Sequence, residues 1–176
     1  MNRRMIVYIL GWMLIAEAIL MMPSLVVGVI YHEPAHRYFV APMLLLIVIG
    51  GFFVIQRPHN TAIFARDGCF IVAASWAALS IFGALPFYLS GYFETIWDCI
   101  FEITSGFTTT GASILKQVEI LPHCLLFWRS FSHWVGGMGV LVFVLAIAPL
   151  ADDRSLHLLR AEVPGPVVGK LVPRMR

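Results

Sequence analysis

Apolar stretches over residues 5–30, 39–55, 69–89 and 123–150 dominate the chain, and the third and fourth are separated by a segment of a different kind. Residues 92–105 carry a helical apolar pattern but are too few to cross a hydrocarbon core of about 30 Å. They run directly into Thr104-Ser105-Gly106-Phe107-Thr108-Thr109-Thr110-Gly111-Ala112-Ser113. Irregular backbone at membrane depth is tolerated only where protein buries it or where it lines a water-filled cavity. An undersized helix followed by a hydroxyl- and glycine-rich loop therefore predicts a re-entrant segment.

With 60% hydrophobic and 12% charged residues, the composition excludes an ordinary water-soluble domain. A net charge of +2 without a basic patch interleaved with aromatics gives no reason to expect nucleic acid as a partner. Cys69, Cys99 and Cys124 are scattered singly, with neither a CxxC pair nor a metal-ligand spacing, which predicts free thiols. The expected fold class is an all-α integral membrane protein in the lipid bilayer. A two-helix transmembrane hairpin (1–56) precedes one repeat over 69–150, and a polar, proline-broken stretch over 151–176 reads as a cytoplasmic linker. Within the repeat the expected order is helix 69–89, pore half-helix 92–105, filter loop 106–113 and helix 123–150.

The basic residues set the orientation. Arg3, Arg4, Arg57, Arg66, Arg154, Arg160, Lys170, Arg174 and Arg176 fall on one expected side, against Arg37 and Lys116 on the other. The positive-inside rule then predicts that both termini are cytoplasmic and that the half-helix enters from outside. Glu94, Asp98 and Glu119 lie on that outer side, where they would attract cations.

The chemistry of such a loop is ion coordination. A cation entering a narrow pore must exchange its water shell for protein oxygens, and backbone carbonyls can supply them. Thr108, Thr109 and Thr110 offer carbonyls and hydroxyls, and Gly111 can take backbone angles closed to other residues. Gly106 is placed to do the same where the half-helix ends. The negative C-terminal end of that helix would favour a cation at the loop. Glu94, Asp98 and Glu102, spaced by four, would share one helical face, with Glu102 deepest and buried behind the loop.

Arg129 lies inside the fourth apolar run, so it should either pair, with Glu102 as first choice, or snorkel to the interface. His133 on the same face reads as a hydrogen-bonded packing residue, and Gly136, Gly137 and Gly139 as close helix contacts. Glu17, isolated in the first span, predicts a polar contact to a neighbouring helix in preference to a proton-relay role. Two other functions stand against the pore. An intramembrane serine hydrolase would use Ser105 activated by His133, but nothing in the spacing secures that geometry. A non-transporting scaffold would leave the threonine loop without a purpose.

Ser105 to Ala112, Phe127-Trp128-Arg129-Ser130-Phe131-Ser132-His133-Trp134 and Gly136-Gly137-Met138-Gly139-Val140-Leu141-Val142-Phe143 resemble the Trk/Ktr/HKT superfamily of potassium transporters. Arg66-Asp67-Gly68 and Phe82-Gly83-Ala84-Leu85-Pro86 fit the same pattern, and the Trk-type membrane subunit is the nearest match. The resemblance implies a transporter rather than an enzyme, with potassium as its ion and four repeats around one pathway in a single polypeptide. It places potassium at Thr110 and Gly111 and completes the filter with Thr108 and Thr109, and from their own positions in the sequence Gly106, Glu102 and Arg129 are expected to support that filter. It also implies a homodimer, a cytoplasmic nucleotide-binding regulatory subunit and a bacterial inner membrane. With one filter loop, the chain is expected to be an N-terminal fragment that needs the remaining pore repeats.

Overall fold

The computed structural model describes residues 3–56, 58 and 65–147, with backbone alone for 65–66 and 140–147. All regular structure among them is helical: α1 (Arg3–Ile30), α2 (Arg37–Ile55), α3 (Ala65–Gly83), α4 (Leu85–Ser90), α5 (Ile96–Phe107) and α6 (His123–Ile147), with single 3-10 turns at Pro34–His36 and Val118–Ile120. Among the described residues, three stretches are long and apolar enough to cross a membrane: Arg3–Ile30, Pro34–Ile55 and Asp67–Ser90. The fourth apolar run is helical as α6, while 148–150 and the expected linker 151–176 lie outside the described residues. So do Arg57, Arg154, Arg160, Lys170, Arg174 and Arg176, on which the orientation largely rests.

Residues Met1–Gly137 form one compact unit, and Met138–Arg176 a second whose described part is the end of α6. The expected hairpin over 1–56 is thus not a body of its own. Its inward stripe, Leu14, Ala18 and Met21 with Phe39 and Leu46, shares one core with Leu79, Ala84, Phe87, Ile103, Phe107, Leu125 and Trp128. The outward faces keep residues such as Ile19, Val26, Leu44, Val48 and Phe52 exposed, as a lipid-facing surface does.

α1 and α2 approach closely through small residues. A Cβ added at Gly11 would lie 2.8 Å from the Gly50 carbonyl oxygen, and one at Gly50 would lie 2.7 Å from that of Gly11. Such contacts replace the hydrophobic drive that lipid cannot supply. The third span breaks at Ala84, because Pro86 lacks the N–H that would continue the ladder, and α4 ends on Gly91 in the left-handed conformation.

Trp128 fixes α6 in this core. Its indole N–H donates to the Gly83 carbonyl at 2.9 Å, beside the break in the third span. Its ring makes edge contacts with Phe39 at 6.5 Å and Phe107 at 6.1 Å. One fully buried side chain therefore joins α2, α3, α5 and α6.

Candidate functional site

The half-helix expected over 92–105 runs instead over Ile96–Phe107. Thr95 explains the later start: its hydroxyl accepts from the Asp98 amide at 3.2 Å, and the Asp98 carboxylate accepts from the Thr95 amide at 3.1 Å. This reciprocal cap satisfies two orphan amides and opens the helix after Thr95. The expected acidic face does not form as read, because Glu94 precedes the cap, Asp98 serves the cap, and only Glu102 turns into the core. At twelve residues α5 is about 18 Å long, short of a full crossing.

The helix ends at Phe107, so Gly106 and Phe107 belong to α5 and not to the loop. The loop that follows turns back along the helix it has left. The Thr108 amide donates to the Thr104 carbonyl at 2.8 Å and the Thr109 amide to that of Gly106 at 2.9 Å. Next, the amides of Thr110 and Gly111 reach the Ser105 carbonyl at 3.0 and 3.4 Å. One turn further up α5, Glu102 accepts from the Ser113 hydroxyl at 2.9 Å and from the Ile114 amide at 3.0 Å. These bonds satisfy last-turn carbonyls that a helix end leaves open.

One side of the loop is thereby fastened to α5, while residues Thr108 to Ile114 are all exposed. Gly111 has φ +76°, where a side chain is strained, although a Cβ there would meet open space. Glycine is required at that position for backbone angle and not for room. Thr109 takes φ +57° without that freedom, an uncommon conformation for a threonine. The Thr108 hydroxyl donates to the Thr104 carbonyl at 2.8 Å and lies 2.9 Å from that of Thr110. Thr108 has one proton to give, so in this pair the Thr110 hydroxyl is the donor.

Glu102 and Arg129 meet: Arg129 Nε donates to Glu102 Oε1 at 2.5 Å, with the Glu102 side chain fully covered and that of Arg129 16% exposed. The carboxylate thus binds a cation, a hydroxyl and an amide, which answers the desolvation of a buried charge. Gly106 has a different part from the one expected. It sits within α5 against α6, where an added Cβ would overlap the Ser132 hydroxyl. Gly136 faces the end of the same helix, and a Cβ there would overlap the Phe107 carbonyl oxygen.

Ser105 and His133 are not joined to each other. The Ser105 hydroxyl donates to the Ala112 carbonyl at 2.6 Å, and His133 Nδ1 pairs with the Arg129 carbonyl at 2.9 Å. This gives no nucleophile–base hydrogen bond of the kind acyl transfer needs. Glu17 is fully buried, but its carboxyl oxygens meet no hydrogen-bond partner among the described residues, unlike the polar contact expected of it.

A second junction escaped the sequence reading. Glu33, in the turn between α1 and α2, accepts from the His123 amide at 2.9 Å, lies 2.6 Å from His123 Nδ1, and accepts from the Cys124 amide at 3.2 Å. Tyr31 stacks on the His123 ring at 4.2 Å. Burial raises the Glu33 carboxyl, yet the hydrogen bonds from His123 and Cys124 outweigh it and hold the group below the usual carboxylate range. The only signal in the sequence was an acidic residue in a turn and an unfilled helix start at His123, which do not identify each other.

The family model described as a cation transport protein, TrkH, matches residues 35–175. The chain belongs to the TrkH family. Among its relatives, the Trk system potassium uptake protein TrkH of Halomonas elongata is 34% identical across 99% of this chain and 37% of its own length. That of Escherichia coli K12 is 37% identical over the same shares. The crystal structure of the potassium transporter TrkH from Vibrio parahaemolyticus superposes with a TM-score of 0.80 at 32% identity, over 92% of this chain and 36% of that one. The chain thus spans a little over a third of the length of the TrkH relatives it matches.

Proposed function

We propose that this chain contributes the N-terminal hairpin and one pore repeat of a Trk-type potassium uptake transporter. α5 is the pore half-helix, Thr108, Thr109, Thr110 and Gly111 are its filter stretch, and potassium is held at Thr110 and Gly111. Glu102, Arg129 and Gly106 support it. α6 is the fourth span, and the remaining repeats come from sequence beyond these residues and close the ring of oxygens that a single loop leaves open. The observation that carries this reading is the loop folded back along an undersized helix, fastened on one side and exposed on the other. The role of the relatives in potassium uptake supports the choice of ion.

In this reading the protein lies in the bacterial inner membrane with both termini cytoplasmic, assembles as a homodimer, and takes a cytoplasmic nucleotide-binding regulatory subunit. The test is uptake in potassium-limited bacteria by the complete transporter carrying this segment. Gly111→Ala and Thr110→Val should each reduce potassium uptake by at least about tenfold, since a lost coordinating geometry is worth more than about 1.4 kcal/mol. Normal uptake by both variants would contradict the assignment.

A further inference from the structure

Ser105 is the residue on which the loop converges. It is 6% exposed and sits one turn beyond Glu102 on the same face of α5. Its carbonyl accepts from the amides of Thr110 and Gly111, and its hydroxyl donates to the carbonyl of Ala112. Three successive loop residues thus answer to one side chain and its backbone.

The peptide unit is planar and trans, so an amide N–H and the carbonyl of the residue before it point in opposite directions. The Thr110 amide is drawn toward α5, and the Thr109 carbonyl therefore points away from it. The Gly111 amide is drawn the same way, which turns out the Thr110 carbonyl. Ala112 is the reverse case, because its carbonyl is the group held against the helix. The series of outward oxygens stops there.

We propose that Ser105 is a positioning residue for ion passage: its hydroxyl holds the Ala112 carbonyl out of the pathway and so ends the oxygen-lined stretch short of Ala112. This inference rests on the pore reading above. The backbone half of the arrangement survives any substitution at 105, and the hydroxyl half does not. Without it the Ala112 carbonyl, in an exposed residue, is free to rotate toward the ion. A flexible extra oxygen loosens the match between the site and one ion size.

The test is the ratio of potassium to sodium flux in liposomes, for the complete transporter carrying this segment. Ser105→Ala should lower that ratio by at least about fivefold, the equivalent of one net hydrogen bond, and Ser105→Thr, which keeps the hydroxyl, should restore it. A purely structural defect would reduce both fluxes together and leave the ratio alone. An unchanged ratio in a transporting Ser105→Ala protein would overturn the proposal. Absence of selective potassium flux in the wild-type protein would instead sink the pore reading itself. Should Ser105→Ala fail to fold, an isotope-labelled Ala112 carbonyl in the wild-type chain decides the matter by solid-state NMR. A strongly hydrogen-bonded carbonyl is expected, and a free one would overturn the proposal.

Discussion

At Glu102 one covered carboxylate holds Arg129, the Ser113 hydroxyl and the Ile114 amide together. Removing one partner of such a pair strands the other in a place without water. Glu102→Gln and Arg129→Gln should each destabilise the folded chain by about 3 kcal/mol, measured by denaturant unfolding in detergent. The double variant should lose less than the sum of the two, since neither charge is then left alone. Losses below about 1 kcal/mol in both single variants would show that the pair does not anchor the loop.

This contact was legible in the sequence, because a cation deep in an apolar run demands a partner and only a few acids are near enough in the chain. The orientation of the individual loop oxygens was not. Whether a hydroxyl turns to an ion or to the backbone depends on the return path of the loop, and Thr108 turned to the backbone.

Between elements, α6 meets α5 through glycines and α1–α2 through a polar clamp. Gly136→Ala would drive a methyl group into the Phe107 carbonyl, one residue before the loop begins. Overpacking of this kind costs about 1–3 kcal/mol. A thermal-stability loss together with reduced potassium uptake is therefore expected of the complete transporter. An alanine at 136 with wild-type uptake would mean that the helices move apart without disturbing the loop.

The Glu33 clamp gives a pH signature. Its folded-state carboxyl lies below the ordinary value of 4.5, so the unfolded chain takes up the proton first as the solution is acidified. The stabilisation is complete above about pH 4.5 and is lost as pH falls through the folded value. Wild type should exceed Glu33→Gln by about 1 kcal/mol at neutral pH, and unfolding curves should show the gap closing in acid. A gap independent of pH would assign the effect to packing alone.

The elements themselves could be read from length and apolarity, since a 28-residue helix such as α1 needs only hydrophobic side chains to be recognised. The boundaries of α5 depended on a finer signal. Thr95 and Asp98 form the cap, and reading Glu94 and Asp98 as one acidic face hid it.

For the whole molecule, membership in the TrkH family and three apolar helices agree with an integral membrane protein. The extent of the compact unit was not legible. A hairpin looks separable when its apolar pattern is complete in itself, but the stripe around Leu14, Ala18 and Met21 finds its partners as far along the chain as Trp128.

The central claim is that residues 108–111 face an aqueous path within the membrane. Its most direct test is a cysteine at Thr110 in the complete transporter carrying this segment, with Cys69, Cys99 and Cys124 replaced by alanine. A membrane-impermeant thiol reagent applied from outside should label that cysteine and block uptake, and potassium should slow the labelling. Absence of labelling in a transporting protein, or labelling that neither blocks uptake nor responds to potassium, would contradict the account.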